Sequence, residues 1–300
     1  ISYDHMHILG DTLAKIATEK AGIIKENGIV VTSAQSPEAL LAIATIAQQR
    51  NARMVRVGAV GDDPAQTEVA AGTLPPMMYR YQLEQRNAER QRFTIHAPDR
   101  LYTGLETTLA GQHQLENATT ALATLDLLRE HGLVWDENAL REGFLATRWS
   151  ARMEVVGHEP TIVVDGAHNA DSMRKLIQGL RDSFPMRRLI VVLSSAKDKD
   201  LAGMVQALAD IDMVILTRMK SQRVVKLETF AELFAQYAPH VEVRIVEESW
   251  QAMDRVVQEA HQDDVICATG SLYLAAEVLR WSAAHGNQDV AATIEGSDHE

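Results

Sequence analysis

The chain has 300 residues, enough for two domains at about 150 residues each. Its 29 lysines and arginines against 41 aspartates and glutamates give a formal net charge of −12, which argues against binding nucleic acid by charge neutralisation. No apolar run approaches the ~18 residues of a membrane span. The single cysteine, Cys267, excludes an internal disulfide and is expected to fill a core, so we expect a soluble, cytoplasmic protein.

The first half of the chain predicts a βαβ arrangement followed by short strands. Asp11 or Thr12 can cap a first helix, whose apolar residues recur at helical spacing up to Ile24. The elements predicted after it are a strand over 29–32, a helix over 37–50, a strand over 54–57, an antiparallel meander over 78–110, and helices over 115–130 and 137–146. This order predicts an α/β domain over residues 1–147, with the meander appended to it.

The second half alternates near-continuous apolar strands with amphipathic helices. Strands are predicted over 161–164, 189–193, 213–217, 241–246 and 265–268. That pattern indicates a Rossmann-like, doubly wound domain over 148–284, with a parallel sheet covered on both faces. Residues 147–152 form the predicted linker, and the polar tail over 285–300 is expected to be disordered. Ligands of such a domain bind at the carboxyl ends of its strands.

Lys20 is an unusual residue, because helical spacing from Leu13 and Ile16 places it on the apolar face of the first helix. Its stem can pack there while the ammonium group reaches solvent. Alternatively, burial favours a neutral amine that is open to covalent modification. The neighbouring pair Asp4 and His5 offers a weaker pattern, since a carboxylate beside an imidazole suits either a metal site or a surface loop.

Two predicted strands end in short polar turns. Residues 165–169 supply Asp165 and His168 where the 161–164 strand opens into a helix, and Ser271 caps the last helix, whose N–H groups can receive an anion. Asn117 lies in the first turn of its predicted helix, and Arg152 follows the linker, where it suits either a phosphate or an ion pair. The lysines over 197–200 suit a charged ligand or solvent. Residue patterns alone therefore predict a two-domain α/β protein that binds an anion, without a glycine-rich phosphate loop.

Five motifs, taken in order, resemble a known family. They are Asp4-His5-Met6 with Leu9-Gly10-Asp11-Thr12, and the segments 16–23, 111–118, 165–169 and 270–274. Together they make the chain similar to bacterial folylpolyglutamate synthase/dihydrofolate synthase, a member of the ATP-dependent Mur ligase superfamily. The resemblance runs over nearly all of residues 1–281 and implies a partial Mur-type ATPase domain followed by a glutamate-ligase domain.

The resemblance implies an amide ligase that uses ATP and Mg²⁺. ATP would phosphorylate the carboxylate of a folate or dihydropteroate, and the amine of L-glutamate would displace the phosphate. By motif position, His5 and a carbamylated Lys20 match the metal ligands, and Lys20 and His168 the catalytic groups. Asn117, Arg152 and Asp165 match ATP contacts. His168, Ser271 and Tyr273 match positions near the incoming glutamate.

The resemblance also carries expectations about the extent of the chain. The family's phosphate loop precedes the point that matches Ile1, so we expect a carboxyl-terminal fragment that is inactive alone. Ser150 and Ala151 stand where the family commonly has Pro-Gly, which predicts a looser hinge before Arg152. A monomer acting on small molecules, with no nucleic acid or membrane partner, is expected. Two alternatives stay open: another Mur-type amino-acid ligase, and a non-catalytic binding module that kept the fold.

Overall fold

The computed structural model describes residues 1, 10–62, 74–221 and 223–286. These residues form two compact units, one from residues 1–108 and 112–147 and the other from 109–111 and 148 onward. Within the described ranges, no helix is long and apolar enough to cross a membrane. The predicted metal ligand His5, and the part of the predicted tail that follows Gly286, lie outside the described residues.

The first unit contains one mixed sheet with helices packed on it. Its elements are α1 (Leu13–Ala21), β1 (Ile29–Thr32), α2 (Pro37–Gln49), β2 (Arg53–Ala59), β3 (Met77–Arg86), β4 (Gln91–His96), β5 (Leu101–Thr107), α3 (Gln112–Leu128) and α4 (Glu137–Ala146). The sheet order is β1-β2-β3-β4-β5. The predicted meander is confirmed, since β3, β4 and β5 pair antiparallel. Because β3 also pairs in parallel with β2, the meander continues the βαβ sheet.

Two apolar clusters hold this first unit together. Phe93 and Tyr102 of the meander pack with Leu115 and Leu122 of α3, all fully buried. In the second cluster, α1 packs against α2 through Ala17, among other residues. Thr12 begins α1, because its side-chain oxygen accepts a hydrogen bond from the amide of Lys15 at 3.2 Å.

The second unit is a six-stranded sheet with the order β10-β9-β8-β11-β7-β6. Its elements are β6 (Glu154–His158), β7 (Thr161–Val164), α5 (Ala170–Ser183), β8 (Leu189–Leu193), α6 (Leu201–Ala207), β9 (Met213–Arg218), α7 (Leu227–Tyr237), β10 (Glu242–Glu248), α8 (Ser249–Glu259), β11 (Val265–Thr269) and α9 (Leu272–Ala284). The five predicted strands pair in parallel, which confirms the doubly wound sheet. The edge strand β6 pairs antiparallel with β7 and was not predicted from the sequence.

Successive residues of the parallel strands face opposite sides of this sheet, and helices cover both sides. Val163, Val191 and Cys267 pack beneath α5, α6 and α7. Ile162 and Ile266 pack beneath α8 and α9 on the other side. Cys267 is fully buried, and burial raises the pKa of its thiol well above the ordinary value. It therefore fills the core, as predicted.

A buried carboxylate, Asp264, anchors the amino ends of two neighbouring strands. It precedes β11, and its oxygens accept hydrogen bonds from Arg187 at 3.0 Å, from Arg188 at 2.7 Å and from the amide of His261 at 2.9 Å. Burial alone would raise the pKa of Asp264. The bonds from Arg188, Arg187 and His261 outweigh that effect, and the pKa lies well below its ordinary value.

The substitution Asp264→Asn is expected to lower the free energy of unfolding by about 3 kcal/mol at pH 7, because two arginines lose a buried partner. A carboxylate whose folded pKa is depressed contributes stability above its unfolded value, about 3.9, and that contribution is lost as the pH falls further. The difference between wild type and variant should therefore shrink from about pH 5 towards pH 2 in urea unfolding experiments.

Asp263→Asn is the matched control for this prediction, because the Asp263 carboxylate is exposed and, among the described contacts, lies near the ring of His261 alone. It should change stability by no more than about 0.5 kcal/mol. Equal effects of the two substitutions, or an Asp264 effect that does not depend on pH, would contradict the anchor.

Candidate active site

Two neighbouring strands, β7 and β11, end beside each other at the carboxyl edge of the second sheet. The turn after β7 covers residues 165–169, and the turn after β11 covers 269–271. Backbone hydrogen bonds join them: the amide of Asp165 donates to Ala268 O at 3.0 Å, and the amide of Gly270 donates to Ala167 O at 2.9 Å. This edge is where ligands of doubly wound domains bind, and the predicted residues Asp165, His168 and Ser271 all lie on it.

Asp165 is buried, and main-chain amides engage both of its carboxylate oxygens. Oδ1 accepts from Ala167 at 2.7 Å and Oδ2 accepts from Met153 at 2.9 Å. Burial raises the pKa of Asp165 above its ordinary value. Part of this rise is offset by the hydrogen bonds from Met153 and Ala167 and by the charges of Arg152 and His168. Asp165 thus fixes the turn after β7 to the loop before β6, while Asn169 is the residue that caps α5.

Arg152 is held at this edge by the two residues on either side of it. Ala151 packs into the core on the α8 and α9 side of the sheet, and Met153 packs into the core on the α5 side. Both have left-handed backbone conformations, with φ of 57° and 45°. The loop therefore crosses the edge of the sheet with Arg152 exposed between two buried neighbours, close enough to Asp165 for its charge to act on that carboxyl group.

His168 has a defined ring orientation. Its Nδ1 lies 2.8 Å from the carbonyl oxygen of Gly166, and its amide donates to Ser172 Oγ at 3.1 Å. Because a carbonyl only accepts, Nδ1 carries the proton, and the neutral ring then has its lone pair on Nε2. His168 is half-buried beside Asp165.

Ser271 and Tyr273 lie at the start of α9. Ser271 is buried, and its Oγ accepts from the amide of Tyr273 at 3.0 Å, so the predicted cap is confirmed. The Tyr273 side chain is 55% exposed. Gly270 precedes them with φ of 101°, and a Cβ at that position would lie 2.4 Å from Ser194 O. Only glycine therefore allows β11 to turn into α9 against the end of β8.

Asn117 belongs to the first unit. Because α3 begins at Gln112, earlier than predicted, Asn117 lies in the second helical turn and not the first. Its Nδ2 donates to Gln114 Oε1 at 3.0 Å, and Gln114 Nε2 lies 3.1 Å from His113 Nε2. Gln114 is buried and Asn117 is exposed. Gln114 thus orients the Asn117 amide towards solvent, a contact that the sequence did not reveal.

Lys20 is exposed, in agreement with the interpretation in which its ammonium group reaches solvent. The cluster that joins α1 to α2 includes Ala17 and Ala21 of α1 but not Lys20. One partner helix covers only part of the apolar arc.

No group of three or more histidine, cysteine, aspartate or glutamate side chains able to hold a metal occurs in the described ranges.

The loops after β8 and β9 carry a further group of cations. Lys197 donates its amide to Arg223 O at 2.8 Å, so the two loops run side by side at the same edge as Ser271. Lys197 and Arg223 are exposed. The edge that holds Asp165 thus also carries positive side chains, although the chain as a whole is acidic.

Comparison with known proteins agrees with this fold. Residues 151–272 match the family model described as Mur ligase, glutamate ligase domain. The folylpolyglutamate synthase of Mycobacterium tuberculosis, complexed with ADP and AMPPCP, superposes with a TM-score of 0.78 at 28% identity, covering 94% of this chain and 62% of that one. The family match and the fold therefore define a protein of the Mur ligase class.

Two curated relatives narrow the class to a family. The dihydrofolate synthase/folylpolyglutamate synthase of Bacillus subtilis is 33% identical over 212 residues, covering 70% of this chain and 45% of the relative. The folylpolyglutamate synthase of Lacticaseibacillus casei is 30% identical over 281 residues, covering 93% of this chain and 59% of the relative. The chain belongs to the folylpolyglutamate/dihydrofolate synthase family and spans about half the length of these relatives.

The turn at Gly270 yields a prediction for stability. Gly270→Ala is expected to cost at least ~2 kcal/mol more than Gly286→Ala, because a crowded Cβ adds to the strain of the left-handed backbone. Gly286 is a matched control: its φ is 93°, and no described residue lies within 4 Å of its would-be Cβ. Urea unfolding of the two variants measures the difference. Equal losses would show that the backbone of Ser194 does not restrict Gly270.

Proposed function

We propose that this chain acts in the ATP-dependent addition of L-glutamate to a folate or to dihydropteroate. In this reaction an oxygen of the acceptor carboxylate attacks the γ-phosphorus of ATP, and ADP leaves. The glutamate nitrogen then attacks the acyl carbon and loses a proton, and phosphate leaves. Membership of the family supports the proposal, as does the ADP and AMPPCP bound to the mycobacterial relative.

The observation that carries the proposal is the fixed arrangement at the carboxyl edge of β7. Asp165 holds the Arg152 loop through Met153, and His168 lies beside the same carboxylate. Arginine and histidine side chains at the edge of a parallel sheet suit an anionic ligand. In a chain of net charge −12, such a ligand must be held by local positive groups.

Each residue at this edge has a chemical role in the proposal. Arg152 binds phosphate oxygens through its planar guanidinium group and offsets charge that builds up during transfer. His168 accepts a proton or a hydrogen bond from the incoming glutamate through Nε2. Ser271 and Tyr273 bind its carboxylates at the amino end of α9. Asp165 contacts ATP while holding the Arg152 loop. In the first unit, Asn117 binds the adenine base.

Mg²⁺, with His5 and a carbamylated Lys20 as ligands, belongs to the same proposal. An unmodified lysine ammonium cannot bind a cation, whereas a carbamate offers the oxygen ligands that Mg²⁺ prefers. The described residues do not by themselves form a magnesium site, since no cluster of three suitable side chains occurs among them.

The test is release of ADP from ATP by the natural gene product that contains these 300 residues. We expect release to require both L-glutamate and a folate or dihydropteroate acceptor, measured by a coupled assay for ADP and by mass spectrometry of the elongated folate. Release with another acyl acceptor would favour another Mur-type ligase. No release with any acceptor would contradict the proposal and favour a non-catalytic binding module.

Single substitutions assign the roles in the same assay. Arg152→Ala should lower kcat/KM for ATP by about 100-fold, the usual effect of removing one donor to a developing charge. Lys20→Ala should abolish ligation while the protein stays folded. Arg280→Ala removes an exposed arginine of α9 and serves as the control, with activity unchanged. Near wild-type turnover of either test variant would reject the role assigned to that residue.

A further inference from the structure

We propose that Glu154 is a positioning residue for Arg152, which it directs by holding the neighbouring Ala151 in its left-handed backbone conformation. The inference rests on the proposed function, in which Arg152 binds the phosphate of ATP. Glu154 was not among the residues singled out from the sequence. Its place in the structure, on β6 two residues after Arg152, is what suggests the role.

The loop before β6 has a conformation that its residues do not favour by themselves. Ala151 and Met153 both have positive φ, at 57° and 45°, although neither is glycine. Left-handed backbone is unfavourable for residues with a Cβ, and it persists where surrounding contacts impose it. Arg152 lies between these two residues, so the direction of its side chain depends on contacts that keep both of them in place.

Hydrogen bonds with Asp165, Gly166 and Glu154 impose the left-handed conformation of this loop. Met153 donates its amide to Asp165 Oδ2 at 2.9 Å, and the carbonyl of Ala151 accepts from Gly166 at 2.9 Å. The amide of Ala151 donates to Glu154 Oε2 at 2.8 Å. No other acceptor for this amide is found among the described residues. Glu154 is therefore the group that fixes the amino-terminal side of the Arg152 loop.

Glu154 is suited to this task because its own backbone belongs to the sheet. It pairs with Val164 in the antiparallel ladder of β6 and β7, so its side chain reaches back from a rigid element. Glu154 is half-buried, and burial raises the pKa of its carboxyl group, opposed by the hydrogen bond from Ala151. It makes no ion pair with Arg152 among the described contacts, so it acts on that arginine only through the backbone of Ala151.

The experiment compares three variants in the natural gene product. Glu154→Ala removes the acceptor and should lower kcat/KM for ATP by roughly tenfold or more, since small misplacements of a binding group have large effects. Glu154→Gln keeps an oxygen that can accept from Ala151 and should retain near wild-type values. Ala151→Gly combined with Glu154→Ala should recover most of the loss, because glycine adopts positive φ without strain.

The thermal midpoints of all variants show whether a loss of kcat/KM reflects unfolding. An NMR measurement on the 300-residue chain makes the test independent of activity. The ¹³Cα and ¹³Cβ shifts of Ala151 report its backbone conformation. They should indicate left-handed backbone in the wild type and in Glu154→Gln, but not in Glu154→Ala. Left-handed shifts in all three would overturn the inference.

The kinetic outcomes separate this inference from the proposed function. If Arg152→Ala lowers kcat/KM for ATP and Glu154→Ala does not, the positioning role is wrong and the ligase proposal stands. If Arg152→Ala has no effect, the phosphate role of Arg152 fails first. An equal loss for Glu154→Ala with alanine or with glycine at position 151 would also overturn the inference, because the effect would not pass through the left-handed residue.

Discussion

The buried carboxylate of Asp165 is the interaction on which the candidate site depends. Its two oxygens accept hydrogen bonds from the amide of Met153, which precedes β6, and from the amide of Ala167, which follows β7. These two segments carry Arg152 and His168. Both side chains are close enough to Asp165 for their charges to lower its pKa. One carboxylate thereby sets the relative positions of the two side chains, Arg152 and His168, that the proposed reaction uses.

Maintaining this arrangement costs free energy, which the surrounding contacts must offset. A buried carboxylate is strongly disfavoured unless hydrogen bonds replace its hydration, and two left-handed residues add roughly 1–2 kcal/mol each. The cost is offset by the amide bonds to Asp165 and Glu154 and by the packing of Ala151 and Met153 on opposite sides of the sheet. Strain maintained in this way is typical of sites that need a side chain held in a fixed direction.

Ala151 occupies a position where the resemblance places glycine, and it has the left-handed conformation that glycine adopts without strain. Both polar backbone groups of Ala151 are hydrogen-bonded and its side chain is buried. Alanine keeps the left-handed conformation that glycine would adopt freely, because the contacts around it impose that conformation.

Local patterns were enough to predict much of this architecture. The apolar run over 161–164 followed by a polar turn placed Asp165 and His168 at a strand end, and Ser271 was predicted as a cap. Features set by distant contacts were missed. Strand β6 has few apolar residues and forms because β7 pairs with it. The left-handed loop depends on carboxylates up to 14 positions away from Ala151, beyond the reach of any local propensity.

The most direct test of this account is an NMR titration that follows the amide protons of Met153 and Ala167 in the 300-residue chain. Both amides donate to Asp165, so both should report its ionisation. The account predicts that they shift together with one midpoint above about 3.9, the ordinary value for an aspartate, because burial raises the pKa of Asp165. Separate midpoints, or a shared midpoint at or below that value, would contradict the central role of this carboxylate.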